Sequence, residues 1–190
     1  MEDIKIYRGK INNKVVVIGG GTGLSTMLRG LKKLPIEITA IVAVSDDGGG
    51  SGVLRNDLGI LPPGDIRNCI MALSNAEPTM RELLNYRFSD GNLKNQSFGN
   101  LFLAAMNGIS SSFSQAVLKM CKILSVNGQV LPVTEENVNL KGIFKDKSSI
   151  IGESKISEYI KYTGKKLDHV ELVPQNPHAL KEAVEEIEKA

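Results

Sequence analysis

A short β-branched run that ends abruptly in glycines is the feature that most constrains the fold of this chain. The run at 14–18 (KVVVI) is followed by GGGTG at 19–23, and apolar residues then recur at helical spacing as far as Leu34. A second β-rich run occupies 36–44. A strand, a helix and a strand in about 30 residues form a βαβ unit, and short, wholly apolar strands are typical of a parallel sheet covered on both faces. This order predicts an α/β protein.

Periodic apolar residues predict further helices downstream, and we expect Asp65 and the pair Asn176-Pro177 to cap two of them. The helices are expected at 66–73, 78–88, 98–106, 112–124 and around 180–187.

Three other segments are predicted to be loops or strands. The run at 45–52 (SDDGGGSG) has so little side-chain bulk that we expect it to be loop. Asn127-Gly128 suits a type I′ turn and therefore predicts a hairpin. One or two short strands are expected within 138–151.

Length and composition limit the function classes. A chain of 190 residues suits one domain, here 1–190, and we expect that domain to be incomplete at its C-terminal end because no strand follows the last helix. Lys plus Arg number 23 against 21 Asp plus Glu, no basic stripe is visible and aromatic residues make up 5%, so we expect no nucleic-acid partner. No apolar run is long enough to span a membrane. Cys69 and Cys121 lie apart in apolar surroundings, which indicates reduced thiols and a cytoplasmic protein.

The first glycine-rich loop is the strongest candidate binding element. Glycines allow backbone amides to approach an anion closely, and the following helix directs unpaired N–H groups and a partial positive charge to the same point. We expect the loop to bind the phosphates of a nucleotide-type ligand, through Gly20, Gly21, Thr22 and Gly23. A tight strand-to-helix turn without a ligand is the alternative.

The second loop places Asp46 and Asp47 after the second strand, at the edge of a parallel sheet where ligands bind. Adjacent carboxylates repel each other, so a cation such as Mg²⁺ would stabilise them, whereas an exposed Asp-Gly turn is the alternative. Arg55 could pair with a carboxylate or reach a phosphate. A P-loop lysine and a dehydrogenase-like ribose acid are both missing from these loops.

Two later motifs also concentrate polar side chains. The run PPGDIRN supplies Asp65, Arg67 and Asn68, where Asp65 is either a plain helix cap or a ligand for the bound molecule. The run SFGNL supplies Asn100, which could face a base or sugar, or bond to a protein carbonyl. No Ser-His-Asp or Cys-His pattern is recognisable, so no catalytic residue is assigned.

Four motifs in order, GGGTG, SDDGGGSG, LGILPPGDIRN and SFGNLFLAA, resemble the YvcK/CofD-like family, and specifically its bacterial YvcK branch, the gluconeogenesis factors. The resemblance covers about 14–151. It implies a cytoplasmic protein with a Rossmann-like α/β fold, a three-layer sandwich with a mainly parallel sheet. Family chains run well past 190 residues, and a second glycine-rich loop is expected beyond Ala190.

The resemblance also implies ligands. Members of the CofD branch are Mg²⁺-dependent 2-phospho-L-lactate transferases, whereas YvcK-branch members bind UDP-sugars such as UDP-N-acetylglucosamine and link carbon metabolism to wall synthesis and cell shape. Carried to this chain, the glycine-rich loop would hold phosphate and Asn100 would line the nucleotide pocket. The candidates to bind the metal or the ligand would be Asp46, Asp47 and Asp65.

Three functions follow as hypotheses. The first is a nucleotide-sugar-binding regulator, with a nucleotide or nucleotide-sugar, a regulatory protein and a second copy of the chain as candidate partners. The alternative is an Mg²⁺-dependent enzyme of the 2-phospho-L-lactate transferase type, with Asp47 and Asp65 as the candidate metal ligands. The second alternative is a dinucleotide-dependent oxidoreductase. The sequence leaves open whether the chain is an enzyme.

Overall fold

A three-stranded parallel sheet forms the centre of the molecule. The computed structural model describes residues 13–190. The strands lie in the order β1-β2-β3, with both pairs parallel. They are β1 (Lys14–Gly19), β2 (Glu37–Val42) and β3 (Gln129–Pro132). The parallel βαβ start predicted from the first 44 residues is confirmed.

A second sheet of three antiparallel strands follows in the chain, in the order β5-β4-β6. Its strands are β4 (Asn139–Phe144), β5 (Ser149–Ile151) and β6 (Leu167–Val173). The short strands expected within 138–151 are confirmed as β4 and β5. The third strand, β6, was not predicted, because this largely exposed segment has no continuous apolar run.

Eight α-helices and one short 3₁₀ turn at Gly91–Leu93 complete the described part of the chain. The helices are α1 (Gly21–Leu31), α2 (Gly49–Leu58), α3 (Pro63–Leu73), α4 (Pro78–Asn85), α5 (Phe98–Gly108), α6 (Phe113–Ile123), α7 (Glu153–Thr163) and α8 (Lys181–Glu188). No helix within residues 13–190 is both long and apolar enough to cross a lipid bilayer.

The two faces of β2 belong to two different cores. Ile38, Ala40 and Val42 point into the larger cluster, which α1, α3, α5 and α6 cover. Ile41 points the other way, where it packs with Leu131 and with α8. Successive side chains of a strand alternate between faces, so a continuous apolar strand needs helices on both sides. The layers are therefore helix, sheet and helix, as an α/β fold requires.

Helices α1 and α3 pack side by side and position both cavities described below. Their contact is apolar, with Leu28 of α1 and Ile66 and Ile70 of α3 fully buried in the larger core. Helix α1 begins at the carboxyl edge of the sheet, directly after β1. The start of α3 lies beside it, since the Gly21 amide donates a hydrogen bond to Asp65. Their last residues also meet, where the Lys32 ammonium donates to the Ser74 carbonyl. The pair thus has an N-terminal end and a C-terminal end.

The prediction that 45–52 is entirely loop was wrong, because α2 already begins at Gly49. Its glycines serve close packing rather than a flexible loop. A Cβ atom on Gly52 would overlap the Asp47 carbonyl oxygen, and Gly49 has a φ of +50°, which favours glycine. Glycine content alone does not reveal that the helix starts inside this run.

The hairpin predicted at Asn127-Gly128 was also wrong. Val126 bridges to Ser74, and the chain then enters β3, which pairs in parallel with β2. Gly128 has a φ of +116°, and a Cβ there would collide with the Ile38 carbonyl. The glycine is needed for a close approach of backbones.

The predicted cap of the last helix lies too early in the chain. Helix α8 begins at Lys181 with Leu180 in the capping position, four residues after the Asn176-Pro177 pair. Helix α6 is capped by Ser112, whose hydroxyl accepts a hydrogen bond from the Gln115 amide.

Candidate functional site

The first glycine-rich loop connects β1 to α1 at the carboxyl edge of the parallel sheet. Gly21 has a φ of +69°, a conformation that glycine adopts without strain. A Cβ on Gly20 would lie 3.2 Å from a carboxylate oxygen of Asp65 and 3.3 Å from the Ala43 side chain. A Cβ on Gly23 would meet nothing within 4 Å, and Thr22 is exposed. The loop therefore has a close-packed side at Gly20 and an open side at Thr22 and Gly23.

A carboxylate of the protein itself occupies the close-packed side. Asp65 is the third residue of α3, not its cap, and Pro62 holds the capping position. Its Oδ2 accepts a hydrogen bond of 2.6 Å from the Gly21 amide. Burial raises the pKa of Asp65, the bond from Gly21 opposes that shift, and the charge of Asp46 adds to it. An internal anion thus already sits at the positive start of α1.

Asp46 and Asp47 lie in the loop after β2, and the carboxylate of each accepts a hydrogen bond from a backbone amide. Asp46 Oδ1 accepts from the Gly48 amide at 2.9 Å. Asp47 Oδ1 accepts from the Ser154 amide at 2.8 Å, in the first turn of α7. Asp47 therefore ties the edge of the parallel sheet to the helix that covers the second sheet.

Glu153 completes the acidic group, and no sequence motif pointed to it. It follows Gly152 at the start of α7. Burial raises the pKa of Glu153, and the negative charges of Asp46, Asp47 and Asp65 raise it further. Only the fold brings this residue to the loop, because more than a hundred residues separate it from the glycine-rich motif.

These groups surround a cavity of about 470 Å³, which we call the acidic cavity. Its lining comprises Gly20, Gly21, Ala43, Ser45, Asp46, Asp65, Leu140 and Glu153. Three carboxylates and no cationic side chain belong to that lining. A phosphate group entering the acidic cavity would be repelled unless a cation accompanied it. The charge of the cavity therefore favours a cation, or a cation together with an anion.

The acidic cavity offers Mg²⁺ some, but not all, of the oxygen ligands that it needs. Mg²⁺ prefers oxygen ligands and is commonly held by one or two carboxylates together with substrate phosphates. Asp46 and Asp65 offer carboxylate oxygens in the acidic cavity. Within residues 13–190 no three acidic, His or Cys side chains are arranged to hold a metal by themselves. The protein could thus supply part of a coordination shell, which a phosphate-bearing ligand would complete.

Arg55 does not line the acidic cavity but stabilises the backbone beside it. Its side chain is 6% exposed. The guanidinium donates to the carbonyls of Ser45, Asp46 and Val138 and to the Asn137 amide oxygen. With these acceptors engaged, Arg55 fixes the backbone of the Asp46 loop against the start of β4.

Arg67 and Asn68 point away from the glycine-rich loop. The Arg67 guanidinium donates to the Leu84 carbonyl and the Asn85 side chain, each at 3.4 Å, on the side of α4. Asn68 lies one helical turn beyond Asp65, where it lines a different cavity with Lys32. The motif PPGDIRN therefore divides between two regions of the molecule.

Asn100 lies near the start of α5 and is 4% exposed. Its backbone amide donates to the Ser97 hydroxyl, which caps the helix. Its side-chain oxygen has no hydrogen-bond partner among the described residues, and neither does that of nearby Gln96. Asn100 is not among the residues that line the acidic cavity.

Comparison with known proteins agrees with this architecture. The chain is 63% identical over 174 residues to a protein of Thermoanaerobacterium thermosulfurigenes, covering 92% of this chain and 54% of that protein. It is 48% identical to the Bacillus subtilis gluconeogenesis factor, covering 93% of this chain and 55% of that protein. The chain thus spans about half the length of the curated relatives that it matches.

A solved structure shares the fold. A crystal structure of a member of the UPF0052 family from Bacillus halodurans superposes with a TM-score of 0.88 at 45% identity, covering 94% of this chain and 57% of that one. This similarity confirms the Rossmann-like α/β architecture. Residues 15–190 match the sequence model of the family described as 2-phospho-L-lactate transferase CofD. The chain therefore belongs to the CofD family.

Proposed function

We propose that this chain is the nucleotide-binding part of a cytoplasmic regulator, which binds a nucleotide-sugar of the UDP-N-acetylglucosamine type together with Mg²⁺. The observation that carries the proposal is the acidic cavity, where the glycine-rich loop and three carboxylates face one another. A diphosphate and a divalent cation together match both of its features, because the amides favour the anion and the carboxylates favour the cation.

The chain's own residues have distinct parts in this proposal. Thr22 and Gly23 directly follow Gly21, which lines the cavity, although they do not line it themselves. This open side of the loop offers helix-terminal amides to a phosphate, since Asp65 already occupies the amide of Gly21. Asp46 and Glu153, which line the acidic cavity, offer carboxylate oxygens to the cation. Asp47 acts as a positioning residue because its carboxylate holds the start of α7, and with it Glu153.

The regulatory role rests on relatives. The Bacillus subtilis and Halalkalibacterium halodurans proteins, each 48% identical, are called gluconeogenesis factors. We extend a gluconeogenesis-related role to this chain, and with it a link from carbon metabolism to cell-wall synthesis and cell shape. A regulatory protein and a second copy of the chain are the proposed macromolecular partners.

A transferase of the 2-phospho-L-lactate type is the second candidate. The family match over residues 15–190 favours it, and the same carboxylates would hold its Mg²⁺. In that case the protein would supply positioning and charge compensation rather than a nucleophile.

Calorimetric titration tests the proposal directly. The 190-residue chain is titrated with UDP-N-acetylglucosamine, GDP or NAD, in Mg²⁺ or in EDTA. We expect UDP-N-acetylglucosamine to bind in Mg²⁺ and to lose about tenfold or more in affinity in EDTA, since a lost charge-assisted contact is typically worth that much. Preferred binding of GDP would favour the transferase, and preferred binding of NAD would favour an oxidoreductase.

A matched pair of variants locates the cation. Glu153→Gln removes a carboxylate from the acidic cavity, whereas Glu158→Gln removes one from the same helix, α7, that does not line the cavity. The first variant should lose the Mg²⁺ dependence and the second should retain it. Equal affinity in Mg²⁺ and EDTA, unchanged by Glu153→Gln, would overturn the cation-linked site.

A further inference from the structure

A second cavity, of about 380 Å³, lies at the C-terminal end of the α1–α3 pair. We call it the basic cavity and define it by six of its lining residues, Arg29, Lys32, Lys33, Asn68, Arg81 and Asn85. The first three come from the end of α1, and the last two come from α4. Arg29 lies six residues after Gly23 on α1, so about 9 Å of helix separate this cavity from the end of the glycine-rich loop.

The charge of the basic cavity is uncompensated in the described part of the chain. No carboxylate is among the residues that line it. Within residues 13–190 none of its four cationic side chains forms an ion pair. Burial lowers the pKa of Lys32, and the positive charge of Arg81 lowers it further. These cations therefore repel one another across a concave surface.

Helix ends supply only part of the missing negative charge. The Lys32 ammonium donates to the Ser74 carbonyl after α3, and Arg81 donates to the Ala76 carbonyl at 3.4 Å. Three helices, α1, α3 and α4, end at or beside the cavity, and each contributes roughly half a negative charge. Four cationic side chains exceed that total, so an anion from outside would bind favourably.

The remaining lining indicates what kind of anion fits. Asn68 and Asn85 carry amides that can donate to and accept from hydroxyl groups. Met71 and Ala72 add apolar surface. The volume is within the range of small-molecule sites. A concave site with hydroxyl-compatible amides suits a small ligand better than the extended backbone of a nucleic acid.

We propose that the basic cavity binds the phosphate group of a small phosphorylated molecule, at a second ligand site separate from the glycine-rich loop. Arg29, Lys32, Lys33 and Arg81 hold the phosphate by charge-assisted hydrogen bonds. Asn68 and Asn85 contact the hydroxylated body of the ligand. This site stands independently of the nucleotide-sugar site, because the two share no lining residue.

Site-resolved NMR of the ¹⁵N-labelled chain tests the proposal without Mg²⁺. The probes are glycerol 3-phosphate, inorganic phosphate and glycerol. We expect the backbone amides of 29–33 and 68–74 to shift saturably with glycerol 3-phosphate and not with glycerol. Comparable binding of inorganic phosphate would support the site and identify free phosphate as its ligand. Shifts confined to 19–23 would overturn the proposal, as would stronger binding of a DNA duplex to the basic cavity.

Charge-matched double variants separate a site from general surface charge. Lys33→Gln with Arg81→Gln removes two cations from the basic cavity, and affinity should fall about tenfold or more. Lys122→Gln with Lys161→Gln removes two exposed lysines from α6 and α7, and affinity should be retained. Equal losses in the two double variants would overturn the proposal. A wild-type-like spectrum away from 29–33 and 68–85 verifies that each variant is folded.

Discussion

The two ends of the α1–α3 pair carry opposite charge. At the N-terminal end, Asp65 lies against the start of α1 and two further carboxylates line the acidic cavity. At the C-terminal end, four cationic side chains surround the basic cavity. Each set complements the partial charge of the helix ends beside it, positive at the start and negative at the finish.

The contrast between the two ends shows that a glycine-rich motif and unpaired cationic side chains need not lie in the same place. The motif predicts an anion site at the start of α1, yet a carboxylate of the protein already uses the Gly21 amide. Four cationic side chains that form no ion pair within residues 13–190 lie together at the other end of the same helices. A ligand at the first end therefore needs a cation, whereas a ligand at the second end needs only its own negative charge.

The largest effect is expected from breaking the apolar contact on which both ends depend. Leu28 is fully buried between α1 and the rest of the core. Leu28→Ala should lower the free energy of unfolding by about 3 kcal/mol, because it removes buried methyl groups and leaves a cavity. Urea denaturation measures the change, and NMR shifts at Gly21 and Ser74 show whether both ends respond.

The control Met27→Ala, at a position 55% exposed, should stay within about 0.5 kcal/mol of wild type. A loss below about 1 kcal/mol in Leu28→Ala would show that the pair is not held by this contact.

The sequence predicted the elements and site residues whose positions follow from local sequence pattern, but not those that tertiary packing alone brings to the site. The first strand, α1 and β2 follow from periodicity, and Gly20, Gly21, Asp46 and Asp65 do line one cavity. Glu153 could not be found in this way, because only the packing of α7 brings it to the loop. Arg55 follows the Asp46 motif closely and Asn68 shares a motif with Asp65. Their side chains nevertheless make contacts elsewhere, since sequence spacing does not fix side-chain direction.

Asn100 marks a second limit of sequence reasoning. An asparagine in an apolar helix implies a partner, yet its buried side-chain oxygen has none among the described residues. Its role in lining a nucleotide pocket stays a prediction. The identity of a buried polar residue indicates that its position matters, but not what it contacts.

The next largest effect compares an arginine from each end. Arg55→Met leaves the carbonyls of Ser45, Asp46 and Val138 without this donor, and it should lower the free energy of unfolding by about 2–3 kcal/mol. Arg29→Met removes an exposed cation from the basic cavity and should change stability by less than about 0.5 kcal/mol. Urea denaturation of both variants measures the contrast. Similar losses would mean that the cations of the basic cavity are also structural, which would remove the distinction between the two ends.

The smallest effect concerns the pH dependence of the N-terminal end. Because burial raises the pKa of Asp65 in the folded protein, the folded state holds this proton more tightly than the unfolded chain. Stability contributed by Asp65 is therefore present at low pH and is lost as the pH rises from the ordinary pKa of the carboxyl group through its raised value.

The variant Asp65→Asn keeps an oxygen that can accept from the Gly21 amide, but it removes the titrating group. The stability of this variant should therefore fall less than that of wild type between about pH 4 and pH 7. Urea denaturation across that range measures the difference, with Asp57→Asn, an exposed position on α2, expected to follow wild type. If Asp65→Asn and wild type show the same pH dependence, the carboxylate at the start of α1 is already compensated. Only Asp46 and Glu153 would then oppose the entry of a phosphate into the acidic cavity without a cation.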